Sequence, residues 1–290
     1  MIEGKDIDEL VKLLKRRGVK LYHACQLTDF ESYLSVGGIP SREHLESNGY
    51  PFTAFHTDQG DDDKGVWDKV FLNLSDFGRT FALGGRGVPN PYGPILFVLR
   101  PEALYEVSDV AICLRSAGAL DFSREKEALK TVADVERLFL NSDGGAYVKY
   151  ASELRKEFCL EDAHDPEVSC SVGSGRLSIE HTSLIRVDPC VAQHASLLDR
   201  VMGFLDYQGY DCHVSKRSYK QGRQELLSEL IAVLLNDPPP SFEELTRLEN
   251  CSNALREWTE VLRDRKLGWN FDRYAQYLRS GTLIPLVSAH

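Results

Sequence analysis

Several groupings in this chain have residue types and spacing that could do chemistry, and each implies a different reaction. Glu180-His181 lies in the apolar stretch LSIEHTSLIRV and could act as an acid/base pair. Glu225 and Glu229 stand four apart on one helical face, as in a two-carboxylate site, although a solvated helix face accounts for them better. Cys190 and His194 form half of a zinc site, with His181, Cys212 and His213 as the remaining candidates, and half a site does not make a metal centre. Asp61-Asp62-Asp63 lacks the alternating ligand spacing of a calcium loop and reads as a solvated turn. Gly84-Gly85-Arg86-Gly87 could turn amides and a guanidinium toward a phosphate, but its spacing is neither a P-loop nor a dinucleotide fingerprint. The stretch Lys216 to Arg223 surrounds Tyr219 with cations, so Arg217 could meet a phosphate while Tyr219 stacks on a base; a solvated loop explains it equally well. No G-x-S-x-G hydrolase signature occurs.

The elements that would position these groups follow from pattern. Ile7, Leu10, Val11, Leu13 and Leu14 recur at helical spacing and predict a helix over 6–17, stopped by Gly18. A strand from Val19 to Ala24 should follow, then a helix opened by a Thr28/Glu31 capping box and ended by Gly37-Gly38. Residues 48–69 are polar and predict an exposed loop before the strand Val70-Phe71-Leu72. Pro94 to Leu99 and Asp109 to Leu114 read as buried strands, Glu125 to Leu140 as one helix, and Leu177 to Val187 as a strand pair or one bent strand. From Gln224 onward the pattern is helical, interrupted by Pro238-Pro239-Pro240 and resumed from a Ser241-Phe242-Glu243-Glu244 cap.

Composition bounds the answer. The 290 residues, 42% hydrophobic and 27% charged, are enough for a substantial core. No apolar run approaches the roughly 18 residues of a membrane span, and the charged opening segment has no apolar core of a secretion signal, so no membrane association and a cytoplasmic location are expected. The seven cysteines are scattered without a C-x-x-C pair and read as reduced thiols. A net charge of −10 argues against non-specific coating of duplex DNA and leaves room for a local basic groove.

In order, Leu21-Tyr22-His23 with Phe30, Leu34 and Gly37 to Ser41, then Val70-Phe71-Leu72, Arg79-Thr80-Phe81, Tyr92-Gly93-Pro94, Gly118 to Ala128, Lys156-Glu157-Phe158-Cys159-Leu160, Leu184 to Val187 and Val201 to Tyr219 together resemble the DarT family of ADP-ribosyltransferase toxins. The likeness covers about residues 1–220 and leaves 221–290 as an α-helical C-terminal extension. Cys25 stands where the family has Thr, and Lys156 where it has Ala.

The resemblance implies an α+β fold, a split central β-sheet flanked by helices. It also implies transfer of ADP-ribose from NAD⁺, used as a substrate without a metal, to a nucleobase of single-stranded DNA or RNA. Glu157 and Arg79 would be the catalytic pair. His23, Ser41, Phe71 and Arg86 would contact the dinucleotide, and Tyr147, Tyr150, Arg217 and Tyr219 the target. A carboxylate suits this chemistry because the transition state is a ribosyl cation: it can bind ribose hydroxyls, face the positive charge and take a proton from the nucleophile. A guanidinium suits it as a fixed cation whose fork matches phosphate and carbonyl oxygens. A toxin further implies a neutralising antitoxin, for which 221–290 is the expected contact. Transfer to a protein side chain, and a non-enzymatic binding or assembly subunit, are the alternatives.

Overall fold

The computed structural model describes residues 1–53, 58–75, 93, 95–119, 121–139 and 166–187, with scattered positions between 199 and 263. Strand β1 (Ile2–Glu3) leads into helix α1 (Lys5–Arg16), whose Ile7, Leu10, Val11, Leu13 and Leu14 are all buried. Each such side chain contributes about 1.5–3 kcal/mol on leaving water. Strand β2 (Leu21–Cys25) is followed by α2 (Leu27–Val36).

The capping box of α2 is not the expected Thr28/Glu31. Gln26 is the N-cap and Asp29 the reciprocal partner, accepting from the Gln26 amide at 3.2 Å. The shift follows from packing: Asp29 is buried and also accepts from the Thr53 amide at 2.7 Å, so one carboxylate fastens both the helix start and the segment beside it. Gly37 ends α2 in the left-handed conformation, φ +73°, which costs a residue without Cβ nothing.

Next come β3 (Gly38–Pro40), α3 (Arg42–Ser47), α4 (Asp58–Asp63), β4 (Lys69–Asn73), β5 (Ile95–Leu99), a 3₁₀ turn (Pro101–Glu106) and β6 (Asp109–Cys113). Helix α4 corrects the expectation of a featureless loop over 48–69; its Asp61 is partly buried, whereas Asp62 and Asp63 are exposed. The single helix expected over 125–140 is instead two short ones, α5 (Arg124–Glu127) and α6 (Val132–Glu136). Thr131 and Asp134 form a capping box that starts α6 afresh, while Leu129, Val135 and Leu138 still reach the core. Strands β7 (Glu167–Ser171), β8 (Arg176–Ser178), β9 (Thr182–Val187) and β10 (Val214–Lys216) follow; over the stretch expected as a strand pair or one bent strand, a 3₁₀ turn (Ile179–His181) separates β8 from β9, which pair with other strands in different sheets and not with each other.

The main sheet has the order β1-β6-β7-β4-β2-β5-β9-β10, antiparallel throughout except that β10 runs parallel to β9. A small second sheet pairs β3 with β8. One face of the main sheet carries Leu21, Leu72, Phe97, Ile112, Val168 and Ile185 into a single apolar core beneath α1, α2 and α6. The other face, on the β4-β7-β6 side, is covered by a smaller cluster containing Ala111, Cys113, Ala117, Phe122 and Ala128. In the C-terminal region, Ser241 and Glu244 form the expected cap of α7 (Phe242–Leu245), and Leu255 is buried in the main core. The rest of that expectation lies outside the described residues. Among the described residues no helix is long and apolar enough to cross a membrane.

Candidate active site at the split in the sheet

Strands β2 and β4 are neighbours that barely pair. Their register holds one partnered position, Tyr22 opposite Asn73, whereas β2 matches β5 at every residue from Leu21 to Cys25 and β4 matches β7 from Lys69 to Asn73. The sheet therefore divides into halves β1-β6-β7-β4 and β2-β5-β9-β10, which is the split the resemblance implied.

A strand that leaves its neighbour exposes backbone polar groups that need other partners. His23 supplies one: its Nδ1 lies 2.7 Å from the carbonyl oxygen of Phe71. A carbonyl only accepts, so Nδ1 carries the proton, and Nε2, 3.1 Å from the Tyr33 hydroxyl, accepts from it. Burial holds the imidazole well below its ordinary pKa, at about 4, against the Phe71 hydrogen bond and the Asp29 charge that favour protonation. His23 is thus a neutral bridge across the split with both nitrogens engaged. Phe71 contributes its carbonyl to that bridge and turns its ring to the opposite face, against the smaller cluster.

Around this bridge lies a buried polar group. Arg42, the first residue of α3, stands over the Phe52 ring at 5.1 Å, with Nη1 3.5 Å from Asp29 Oδ1. The Tyr33 phenol is raised well above its ordinary pKa by burial and by Asp29, so it stays a donor. Thr53 is 1% exposed, and its Oγ1 has no hydrogen-bond partner among the described residues.

Ser41 is not part of that cluster. Its hydroxyl accepts from the His44 amide as the N-cap of α3, and its own amide donates to Gly175 at 2.9 Å. It lines a polar pocket of about 400 Å³ with Glu43, His44, Ser171 and Ser174, at the opposite end of β7 from Glu167. Glu180-His181 is not an acid/base pair either. His181 Nε2 meets Glu106 Oε1 at 2.8 Å, while Glu180 is exposed. Glu157, Arg79, Arg86, Tyr147, Tyr150, Arg217 and Tyr219 lie outside the described residues, as do Glu225, Glu229, Cys190, His194, Cys212 and His213. Cys25, Cys113 and Cys170 are buried free thiols. Among the described residues no group of three or more His, Cys, Asp or Glu side chains is arranged for a metal ion.

One carboxylate in the described residues was passed over in the sequence. Glu167 opens β7 and lies in register with Asn73 on one side and Cys113 on the other. Cross-strand partners point to the same face, so Cys113, Glu167, Asn73 and Tyr22 form one row that crosses the split. The signal was available in the alternation of Glu167, Ser169 and Ser171 with apolar Val168 and Cys170, a half-buried strand with a charge at its start.

No family model and no curated protein matches this chain. Solved structures do: "Thermus sp. 2.9 DarT in complex with NAD+" is similar at a TM-score of 0.39 and 13% identity over 68% of this chain and 94% of that one. "Thermus sp. 2.9 DarT in complex with ADP-ribosylated ssDNA" is similar at a TM-score of 0.41 and 12% identity, over 70% and 95% of the two chains.

Proposed function

We propose that the chain is an NAD⁺-dependent ADP-ribosyltransferase that modifies a base in single-stranded nucleic acid, acting as a toxin held in check by a partner protein. What supports the reading is the ordered set of sequence segments that resemble such enzymes, two of which, Leu21-Tyr22-His23 and Val70-Phe71-Leu72, face each other across the split.

In this reading a nicotinamide riboside lies at the split, where Tyr22 and Asn73 stand opposite each other and would offer a ring surface and an amide. His23 would act by holding β2 and β4 together at the split, through the Phe71 carbonyl and the Tyr33 hydroxyl. By resemblance Glu157 would supply the reacting carboxylate, Arg79 and Arg86 would meet the diphosphate, and Tyr147, Tyr150, Arg217 and Tyr219 would hold the target. An unpaired base in a local basic groove is compatible with the net charge of −10, because stacking and a few cations suffice for one extruded nucleotide.

The test is incubation of the purified chain with labelled NAD⁺ and single-stranded DNA, RNA or lysate. Label that is lost to nuclease and resists protease supports the proposal. Protease-sensitive label would move the target to a protein side chain, and inertness toward NAD⁺ in every mixture would leave a binding or assembly role.

A further inference from the structure

We propose that the polar pocket beside α3 is a second ligand site, separate from the split, that takes a small sugar: a neutral or amine-bearing monosaccharide unit with free vicinal hydroxyls. The site is independent of the transfer reading. Its place in the fold, the way its walls are held and the polar groups it presents all bear on that assignment.

The pocket, of about 400 Å³, is built around the C-terminal end of β7, where Ser171 stands in register with Lys69 and Asp109. The row that crosses the split passes through Glu167 at the other end of the strand, four residues and about 13 Å away at the rise of an extended chain. The walls come from distant parts of the sequence and are tied to one another through their backbones. The turn after β7 is closed by the Gly175 amide, which donates to the Val172 carbonyl at 2.8 Å, and the Gly175 carbonyl accepts from the Ser41 amide at 2.9 Å. The Ser108 amide donates to Ser171 at 2.9 Å, and the Glu43 amide donates to Trp67 at 3.1 Å. The site is therefore formed before a ligand arrives, which lowers the ordering cost of binding.

The groups turned to the pocket have hydrogen-bonding capacity to spare. The His44 ring lies so close to Gly175 that a Cβ there would stand 2.5 Å from its Nδ1, so the glycine makes room for the imidazole. Neither ring nitrogen has a partner among the described residues, and the same holds for the Glu43 carboxylate, the Ser47 hydroxyl and the amides of Gly173 and Ser174. One carboxylate that accepts, two amides that donate, and a hydroxyl and an imidazole that do either match ligand hydroxyls, which both donate and accept. Neither Lys nor Arg lines the pocket, while Glu43 and Asp68 do, the latter met by Lys69 at 2.7 Å, so a phosphate or carboxylate ligand has no cation to meet there. Val172 is the one apolar side chain among the described lining residues and none is aromatic, so nothing there stacks on a base or covers an acyl chain.

The test follows the Gly173 and Ser174 amide signals and the His44 ring by NMR in the full, ¹⁵N-labelled chain as glucose, ribose, N-acetylglucosamine or glucosamine is added. At least one sugar should shift these signals saturably, with half-saturation on the order of 1–10 mM for a ligand of this size. Its methyl glycoside binding equally well identifies the end of a glycan, and binding of the free sugar alone identifies a free monosaccharide; either supports the site. Glu43→Ala, at an exposed position of α3, should weaken binding by about 10-fold or more and leave signals outside the pocket in place, and His44→Ala should weaken it likewise. No saturable shift from any of the four sugars overturns the assignment, as does unchanged affinity in both variants. Inorganic phosphate moving the same signals at lower concentration than any sugar overturns the ligand class. NAD⁺ moving them at lower concentration than any sugar would join the pocket to the split and overturn its separateness, leaving the transfer reading intact.

Discussion

His23 Nδ1 donates to the Phe71 carbonyl at 2.7 Å, a side chain doing at the split what a strand neighbour does elsewhere in the sheet. Replacing His23 with Leu leaves the Phe71 carbonyl and the Tyr33 hydroxyl without this partner. A loss of about 2 kcal/mol is expected, measured as a lower urea midpoint.

The same bridge makes stability depend on pH. The folded pKa of His23, about 4, lies below the ordinary value of 6.5 because burial penalises the charged ring. Below 6.5 the unfolded chain binds a proton that the folded chain refuses. This contribution is therefore fully present above 6.5, is lost as pH falls toward 4, and is worth on the order of a few kcal/mol. Urea midpoints between pH 7 and 4 should fall more steeply for the unmodified chain than for His23→Leu; parallel curves would contradict the neutral bridge.

Tyr33→Phe removes the donor that favours the neutral ring, so the His23 pKa should rise from about 4 toward its ordinary value. An imidazole titration followed by NMR reads this directly, and an unchanged or lower value would mean the Tyr33 hydroxyl does not favour the neutral ring.

How much of this could be read from the sequence depends on whether the signal was local. The buried spacing in α1, the apolar runs of β5 and β6 and the glycine end of α2 are local, and the structure has them. The α2 cap was misread because Asp29 is chosen by its bond to Thr53, 24 residues away, which no window around Thr28 contains. Helix α4 was missed because aspartate and glycine have poor helix propensity. At the site, His23 was legible through its strand-helix-glycine setting. The row Cys113–Glu167–Asn73–Tyr22 was not, because it is a matter of register: Asn73 and Tyr22 lie 94 and 145 residues before Glu167 in the chain.

Gly93 precedes β5 at φ +145°, and a Cβ there would lie 2.0 Å from the Cys25 carbonyl oxygen and 2.7 Å from the Gln26 amide nitrogen. Both obstacles are backbone at the end of β2 and the start of α2, so neither can rotate away. Gly93→Ala should cost about 3 kcal/mol and lower the melting temperature by several degrees, with nicotinamide release falling as the end of β2 shifts.

The turn that positions Glu167 is itself held by a fork. Arg115 Nε and Nη2 meet the two oxygens of Glu127 at 2.5 and 2.6 Å, and Nη1 meets Asp121 at 2.7 Å. Glu127, foremost, and Asp121 raise the guanidinium pKa. Arg115 is adjacent to Ser116 and Ala117, so the fork fixes the donors on which the Glu167 pose depends. Lysine keeps the charge but cannot span two oxygens in a plane. Arg115→Lys should therefore cost about 1–2 kcal/mol in stability, and a double-mutant cycle with Glu127→Gln should show the two effects to be strongly non-additive. With its donors loosened, Glu167 should titrate at higher pH, because the hydrogen bonds from Ala117 and Ser116 are what lower it against burial. Carboxyl NMR reads that titration directly, and an unmoved value in Arg115→Lys would place the effect of the fork elsewhere.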